Sequence, residues 1–434
     1  MTLIQPNGPG EDLVVRGARV VDPTEGVDAT LDVRIDGGTI AQVGPDVAAN
    51  GHRVIDARGL VLAPGFVDPH VHLRTPGRED EEDIRSGTRA AAGGGYCAIL
   101  AMPNTDPIVD SASVLGALAD AARTQAEIPV GFLASITKGQ EGGELTEMVE
   151  LAHKGAAGFT DDGKPVTSPS LLRRALQYGA VAGPPIALHC EEPTLSRGGH
   201  MHEGETSAEL GFGGYPSVAE SVMVARDLAL ARYEGRPLHV LHVSARESVE
   251  ELRRARAEGE AATAEVTPHH LTETDEAVRT LDPNLKMNPP LRAEEDRLAL
   301  LDALRDGTIG AVATDHAPHA RHEKEVPFEA APFGVTGLET AFAALYTRLV
   351  QPGVLPLTTL LERMSAGPAR IFGLDRPRVA PGASANLVLL DLERDWIVGE
   401  RGFRSKSANS WLLGKRLSGS VRLTVAAGRV AHEA

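Results

Sequence analysis

Between residues 68 and 350 the chain repeats one pattern: a short apolar run rich in β-branched residues, a polar loop, and a longer stretch with helical spacing of apolar residues. Eight such units occur, and their predicted strands cover residues 66–72, 96–102, 130–136, 158–161, 185–190, 238–243, 262–267 and 309–314. Eight alternating strand and helix units favour an α/β fold of the (β/α)8 TIM barrel type over an open doubly wound sheet. No glycine-rich phosphate fingerprint follows the first strand, which also disfavours dinucleotide binding.

The two ends of the chain have a different pattern. Residues 12–62 and 384–432 contain short apolar strands separated by turn residues, and neither segment is large enough to bury its own core. We therefore expect one small β-sandwich domain formed by residues 1–64 and 366–434, beside a barrel formed by residues 65–365.

Composition excludes several functions. The net charge of −17 and the lack of a basic block argue against nucleic acid or an anionic membrane surface as a partner. No apolar stretch approaches the roughly 20 residues that span a bilayer, and the polar first ten residues lack the pattern of a secretory signal. With only two cysteines, Cys97 and Cys190, both in apolar runs, we expect buried thiols and a cytoplasmic protein.

A candidate metal site begins at the end of the first predicted strand. His70 and His72 are two residues apart, so on a strand their imidazoles lie on the same face. Further candidate ligands stand at the carboxyl ends of later predicted strands, and catalytic residues of a barrel gather at that face. These candidates are Asp161 or Asp162, His189, His242 and Asp315.

Each of these residues also has an ordinary structural interpretation. A histidine in an apolar run is commonly a hydrogen-bonded core residue, and Asp161-Asp162-Gly163 has the composition of a turn. His239 lies three residues from His242, faces the other way on its strand, and is predicted to be structural. The joint occurrence of the other residues at one end of the strands is what favours a metal site. Four imidazoles and two carboxylates suit zinc, and the count predicts two ions, which in such pairs lie roughly 3.5 to 4 Å apart.

On the basis of these residues and the motifs around them, the chain resembles the cyclic amidohydrolase superfamily and, within it, the bacterial type I dihydroorotase family. The matching motifs span most of the predicted barrel in order. They are Asp-Pro-His-Val-His-Leu-Arg-Thr-Pro-Gly (68–77), Ala-Met-Pro-Asn-Thr (101–105), Phe-Thr-Asp-Asp-Gly (159–163), Leu-His-Cys-Glu (188–191), Glu-Val-Thr-Pro-His-His-Leu (265–271), Lys-Met-Asn-Pro-Pro-Leu-Arg (286–292), Ala-Thr-Asp-His-Ala-Pro-His (313–319) and Ala-Pro-Phe-Gly (331–334).

The resemblance implies the reversible cyclisation of N-carbamoyl-L-aspartate to L-dihydroorotate, a step of pyrimidine synthesis. It further implies that zinc is held by His70, His72, Asp162, His189, His242 and Asp315. Asp162 would bridge two ions, and its choice over Asp161 rests on the family pattern alone. A hydroxide on the metal would be the nucleophile, and Asp315 would be general base and then general acid.

The resemblance also implies a set of substrate contacts. Arg74 would pair with the substrate carboxylate, because its planar guanidinium matches a carboxylate in two hydrogen bonds. The other expected contacts are His72, Asn104, Asn288, His319, Phe333 and Gly334. The charged segment 317–332 is expected to be a mobile loop that closes over the substrate.

Two alternatives stay open at this point. A hydantoinase or allantoinase would share the fold and metals, although Arg74 and the absence of a bridging lysine disfavour it. A non-catalytic scaffold for aspartate transcarbamoylase is a second alternative, disfavoured because such relatives lose ligands that this chain keeps. The expected partners are a small-molecule substrate, a second copy in a homodimer, and aspartate transcarbamoylase.

Overall fold

The structure is a computed structural model that describes residues 3–434. Its strands alternate with helices through the middle of the chain, whereas at both ends strand follows strand without an α-helix between them. The strands are β1 (Leu13–Asp22), β2 (Val27–Asp36), β3 (Thr39–Gly44), β4 (Arg53–Asp56), β5 (Val61–Pro64), β6 (Phe66–Val71), β7 (Tyr96–Ala101), β8 (Val130–Phe132), β9 (Ala187–Leu188), β10 (Met201–His202), β11 (Gly214–Tyr215), β12 (Leu238–Val240), β13 (Ala262–Val266), β14 (Ala311–Val312), β15 (Leu387–Ile397), β16 (Arg416–Ala426) and β17 (Arg429–Glu433).

The α-helices fall mostly between the strands of the middle region. They are α1 (Ile84–Gly93), α2 (Ala112–Gln125), α3 (Met148–Lys154), α4 (Pro169–Ala182), α5 (Pro193–Ser196), α6 (Glu205–Leu210), α7 (Val218–Glu234), α8 (Arg246–Ala257), α9 (Pro268–Thr272), α10 (Glu294–Asp306), α11 (Arg321–Lys324), α12 (Ala341–Leu345), α13 (Leu357–Met364) and α14 (Ala366–Ile371). Within residues 3–434, none of the helices combines the length and the apolar character that crossing a membrane requires.

Local sequence explains where several helices begin and end. The Asp83 carboxylate accepts a hydrogen bond from the Ser86 amide, and the Ser86 hydroxyl oxygen accepts one from the Asp83 amide, a capping box that starts α1. Ser168 caps α4, whose first residue is Pro169. Gly235 adopts left-handed backbone angles that end α7, a conformation in which glycine has no side chain to strain.

The middle strands form parallel pairs that follow one another around a circuit. β6, β7 and β8 pair in that order, and β9, β12, β13 and β14 pair in a second sheet. Parallel bridges at Phe159, to Ala134 and to Ile186, connect the two sheets, and a parallel bridge from His316 to Val71 returns to β6. The predicted α/β character is therefore confirmed.

The predicted strand at 158–161 is wrong as a continuous strand, because only Phe159 makes bridges there. Asp161 and Asp162 follow at once, and Asp161 turns back to accept hydrogen bonds from the amides of Ile136 and Thr137. At residue 161 the contact with the neighbouring segment is therefore made by a side chain and not by a backbone bridge. Most of the other predicted strands occur but are shorter than expected, as with 309–314, where only Ala311–Val312 is a strand.

Strands from both ends of the chain meet in one sheet of eight strands. Its order is β17-β16-β15-β5-β1-β2-β3, and β4 pairs with β1. β5 lies at the junction, parallel to β1 and antiparallel to β15. One face of this sheet has its own apolar cluster, which includes Leu13, Val33, Leu62, Leu387 and Leu423 and is distinct from the larger cluster around the parallel strands.

The larger cluster includes an aromatic group at the beginning of β6 and β7. Phe66, which opens β6, is fully buried. Its ring lies 5.8 Å from that of Tyr96 in an edge-to-face arrangement and 5.5 Å from that of Phe342 in a stacked one, both measured between ring centroids. Such pairs contribute about 0.5–1.5 kcal/mol beyond the burial of their area.

We predict that Phe66→Ala lowers the free energy of unfolding by about 3–5 kcal/mol, because it leaves a cavity among large side chains that cannot collapse into it. Urea unfolding followed by circular dichroism measures the change. Phe66→Leu is the control and should cost clearly less, because it keeps most of the volume. Equal midpoints for the two variants would contradict this view of the core.

Candidate metal centre

The predicted ligands converge at the carboxyl ends of the parallel strands. His70 lies in β6, and His72 follows it directly. His189 follows β9, His242 follows β12, and Asp315 follows β14. Asp162 follows the bridge at Phe159. All six side chains are at least nine-tenths buried.

Asp162 stands between two pairs of histidines. Its Oδ2 lies 3.5 Å from Nε2 of His70 and 3.5 Å from Nε2 of His72. Its Oδ1 lies 3.8 Å from Nδ1 of His189 and 3.5 Å from Nε2 of His242. The residues thus form two groups with metal-binding geometry, and Asp162 is a member of both.

Asp315 joins the first of these groups. Its Oδ1 lies 3.1 Å from Nε2 of His72 and 3.4 Å from Nε2 of His70. In the second group, Nδ1 of His189 and Nε2 of His242 are 2.9 Å apart. Imidazole nitrogens and carboxylate oxygens at this spacing are the donor set of zinc and related divalent ions.

Three buried atoms of the six ligands have no hydrogen-bond partner within residues 3–434, namely Nε2 of His70, Oδ1 of Asp162 and Nδ1 of His242. Leaving a buried polar atom unpaired is costly, so such atoms in a folded protein need an explanation. Nε2 of His70 and Oδ1 of Asp162 face the interior of the two groups, where a divalent cation would bind. The residues present therefore fit a metal centre.

The buried carboxylates and imidazoles of the centre shift one another's pKa values. Burial alone would raise the pKa of Asp162, but the neighbouring imidazoles, His70 foremost, bring it well below its ordinary value. Asp315 shows the same balance, and its pKa is also lowered. Burial lowers the pKa of His70, yet the two carboxylates outweigh burial and raise it well above the usual range.

Three of the four metal-facing imidazoles have a partner behind them. Nδ1 of His72 donates to Oδ1 of Asn104 at 2.8 Å, and Nε2 of His189 donates to Oε2 of Glu191 at 2.8 Å. Nδ1 of His70 donates to Oε1 of Glu265, also at 2.8 Å. Such contacts fix which nitrogen of a ring carries the proton and which faces the metal.

Asp161 is oriented away from this centre. Its carboxylate accepts from the backbone amides of Ile136 and Thr137, at 2.8 and 3.1 Å, and from the Thr137 hydroxyl. Asp161 therefore holds the preceding loop, while its neighbour Asp162 faces the histidines. The sequence alone did not decide which of the two aspartates faces the metal site. In the structure their side chains point in different directions, and it is Asp162 that faces the histidines.

A cavity of about 320 Å³ lies over the centre. The predicted substrate contacts His72, Arg74, Asn104, Asn288, His319, Phe333 and Gly334 all line it. A larger cavity, about 880 Å³, lies at the opposite ends of the parallel strands, and no acidic residue is among its described lining residues. The smaller cavity is the one that the candidate metal ligands line.

Arg74 is held in place within this cavity. Its side chain is almost fully buried, and its Nε donates to the carbonyl of Pro318 at 3.1 Å and pairs with Oε2 of Glu81 at 3.0 Å. The terminal nitrogens of the guanidinium are thereby left to face a ligand. Burial lowers the pKa of Arg74, but a guanidinium stays charged at any physiological pH.

Other predicted contacts have protein partners of their own. Nδ2 of Asn288 donates to Glu191 at 3.0 Å. Nε2 of His319 donates to the carbonyl of Phe333 at 2.8 Å, so its second nitrogen is an acceptor whenever the ring is neutral. Burial and the nearby charge of Arg74 lower the pKa of His319 to about 3, which keeps the ring neutral.

The segment 317–332 contains the short helix α11 and is attached at several points. Nζ of Lys324, a buried side chain, donates to the carbonyls of Pro283 and Pro332 at 3.0 and 2.8 Å. Nζ of Lys286 donates to the carbonyls of Phe328 and Glu329. The expectation of a mobile loop stays a prediction.

Sequence reasoning missed the carboxylates behind two of the ligands, Glu191 and Glu265. The available signal was their position inside the quoted motifs: Glu191 stands two residues after His189, and Glu265 opens Glu-Val-Thr-Pro. An outer partner of a metal ligand is a common companion of histidine sites.

Comparison with known proteins agrees with this geometry. A family model described as Dihydro-orotase-like matches residues 59–248. The dihydroorotase of Geobacter metallireducens is 43% identical over 423 residues, which are 97% of this chain and 100% of that protein. The dihydroorotase of Trichlorobacter lovleyi is 44% identical over 420 residues, 96% of this chain and 99% of that protein.

A solved structure of lower sequence identity has a similar fold. The L-hydantoinase (dihydropyrimidinase) from Arthrobacter aurescens superposes with a TM-score of 0.86 at 27% identity, covering 98% of this chain and 96% of that chain. The fold and the site define an enzyme of the cyclic amidohydrolase class, which hydrolyses cyclic amides. Within this class, the chain belongs to the dihydroorotase family.

We predict that Asp162→Asn reduces the divalent metal bound per chain, because an amide offers one oxygen where the carboxylate offers two to the two groups of histidines. Elemental analysis of purified protein measures the content. The neighbouring variant Asp161→Asn is the matched control, since its amide oxygen can still accept from the Ile136 and Thr137 amides. A similar loss of metal in both variants would contradict the assignment of Asp162.

Proposed function

We propose that the protein is a zinc-dependent dihydroorotase that interconverts N-carbamoyl-L-aspartate and L-dihydroorotate in pyrimidine synthesis. One observation carries the proposal: Asp162 is shared by two groups of histidines in a cavity that also contains the buried cation of Arg74. The family relation supports the same reaction. The activity test is dihydroorotate hydrolysis and the reverse cyclisation by purified protein.

We further propose that the circuit of parallel pairs is a (β/α)8 barrel, formed by residues 65–365, and that residues 1–64 and 366–434 form a β-sandwich accessory domain. The closed order of the pairings and the separate apolar cluster of the end segments support this division. The helix α14 lies at the boundary, because Ala369 packs in the larger cluster.

The metal centre is proposed to hold two zinc ions. His70, His72 and Asp315 would hold one, His189 and His242 the other, and Asp162 would bridge them. When bound, such ions lower the pKa of a coordinated water to about 7 and polarise a carbonyl oxygen. The burial of all the ligands supplies the low-polarity surroundings in which these effects are strong.

Asp315 is the proposed proton carrier. Its carboxylate belongs to the first group of ligands and also lines the cavity, so it can reach both the attacking water and the substrate. It would accept the proton of the water and deliver it to the ring nitrogen that leaves the carbonyl carbon. In the cyclisation direction the same oxygen would take the proton from that nitrogen.

The cavity walls are proposed to select the substrate. Arg74 would bind the carboxylate of dihydroorotate, and a buried charge of this kind gains most from an opposite charge in the ligand. Asn104, Asn288, His72 and the backbone at Phe333 and Gly334 would contact the ring and its substituents. His319 would accept a hydrogen bond from the substrate, given that its proton is directed to Phe333.

A homodimer and a complex with aspartate transcarbamoylase stay predictions. Sedimentation of the protein alone and mixed with aspartate transcarbamoylase measures both. A hydantoinase remains the second candidate activity because of the superposition with L-hydantoinase from Arthrobacter aurescens.

We predict that Asp315→Asn lowers kcat by about 10²–10⁴, the range for loss of a positioned general base. The amide cannot accept the proton of the water, and the effect should appear in both directions of the reaction. The exposed variant Asp120→Asn is the control for loss of one carboxylate. Wild-type turnover by Asp315→Asn would refute the proton-carrying role.

We predict that Arg74→Met weakens the binding of dihydroorotate by about 2–5 kcal/mol, the cost of removing one partner of a buried charge pair. Turnover of dihydrouracil, which lacks the carboxylate, should change far less. The ratio of kcat/KM for the two substrates measures the selectivity. A wild type that prefers dihydrouracil, hydantoin or allantoin would favour the second candidate activity.

A further inference from the structure

One fully buried carboxylate contacts both groups of metal ligands from behind. Glu265 lies in β13, beneath the centre, and none of its surface is exposed. Its Oε1 accepts from Nδ1 of the His70 ring at 2.8 Å and from the backbone amide of His242 at 3.4 Å. His70 belongs to the first group and His242 to the second. Glu265 therefore contacts one member of each.

The contact with His70 determines which ring nitrogen is free. An ionised carboxylate only accepts hydrogen bonds, so in the neutral, metal-binding form of the His70 ring the one proton must be on Nδ1. The lone pair is then on Nε2, the atom that lies 3.5 Å from Asp162 and 3.4 Å from Asp315. A proton on Nε2 instead would occupy the position where the ring faces the metal.

The second oxygen of Glu265 is fixed by a histidine that does not reach the centre. Nε2 of His239 donates to Oε2 of Glu265 at 3.0 Å, and Nδ1 of His239 lies 2.9 Å from the hydroxyl of Thr263. The His239 ring also packs edge-to-face on Phe372, with ring centroids 5.2 Å apart. Both oxygens of Glu265 are thus occupied, and the carboxylate has one orientation.

The donors around Glu265 agree with an ionised carboxylate. The ring nitrogens of His70 and His239 and the backbone amide of His242 all lie within hydrogen-bond distance of its two oxygens. An ionised carboxylate accepts all three bonds, whereas a neutral acid in the same place would need to donate a proton to one of the two rings.

We propose that Glu265, oriented by His239, is the positioning residue that sets the tautomer of His70 and the backbone position of His242, and so adjusts metal affinity in both groups of ligands. The inference rests on the proposed metal centre. Glu265 does not line the cavity and acts only through the ligands that it contacts. His239, which its position on the strand predicts to be structural, thereby gains a role in the site.

The first test is Glu265→Gln in the full chain. The amide keeps the shape of the side chain but presents one acceptor and one donor, so His70 or His239 must give up its present tautomer. Outer partners of metal ligands are worth about 10–100-fold in metal affinity. We therefore expect the Zn²⁺ affinity of metal-stripped protein to fall by about this factor in a competition with a chelator of known affinity.

A spectroscopic measurement separates positioning from general damage. Co²⁺ substituted for Zn²⁺ reports ligand geometry in its visible absorption, and we expect the band positions to differ between wild type and Glu265→Gln. At saturating metal the KM for dihydroorotate should be unchanged, because Glu265 does not face the substrate. Glu339→Gln is the matched control: that largely buried carboxylate accepts from the Arg404 and Ser405 amides, away from the centre.

His239 provides a second pair of variants, which decides the question if Glu265→Gln fails to fold. His239→Leu removes the donor to Glu265, and we expect about a tenfold loss of Zn²⁺ affinity, the lower end of the range for such partners. His239→Gln supplies an amide donor at the same place and should restore most of the affinity. Equal affinities for the Leu and Gln variants would overturn the role of His239.

The outcomes for the inference and for the proposed function are distinct. Wild-type Zn²⁺ affinity and an unaltered Co²⁺ spectrum in Glu265→Gln would overturn the inference while leaving the metal centre intact. A wild-type chain that binds no Zn²⁺ would instead refute the metal centre of the proposed function. Wild-type protein that binds Zn²⁺ but does not turn over dihydroorotate would refute only the proposed reaction.

Discussion

The arrangement of the site depends on one buried carboxylate shared by four imidazoles. Asp162 is almost fully buried, and a carboxylate removed from water is stable only with compensating charge or hydrogen bonds. Its two oxygens face different pairs of histidines, which come from three separate strands or strand ends. The circuit of parallel strands brings these residues to within a few ångströms of one another. The pairing order of the strands and the burial of Asp162 among histidines therefore depend on each other.

The backbone shows where this constraint is strongest. Arg74, His242 and Asp315 have positive φ angles, at 56°, 30° and 47°. Such angles cost a non-glycine residue about 1–3 kcal/mol, and they persist where surrounding structure determines them. The three residues lie at the ends of three different strands, each just where a side chain turns into the cavity. The apolar packing around the parallel strands supplies stability that offsets the cost of these backbone angles.

Much of this could be predicted from sequence, and the limits have physical causes. The six ligand candidates were visible because metal chemistry needs particular residue types at strand ends. Asp161 and Asp162 were inseparable, because neighbouring residues differ only in direction, which the local backbone decides. The isolated bridges at Phe159 could not be distinguished from a continuous strand over residues 158–161, because the sequence pattern is the same in both cases. Glu265 stood inside a recognised motif, but its pairing with His70 could not be predicted, because 195 residues separate the two along the chain.

The sheet formed by the chain ends affects how the protein is made. β5 ends at Pro64 and pairs with β15, which begins at Leu387, so more than three hundred residues are synthesised between the two partners. Until β15 leaves the ribosome, the edge of β5 has unpaired backbone groups and its apolar face lacks the cover that Leu387 and Leu423 provide. Pairing of this range is slow and leaves the nascent chain open to aggregation. The interval in which this edge is exposed is therefore the translation of the middle region of the chain.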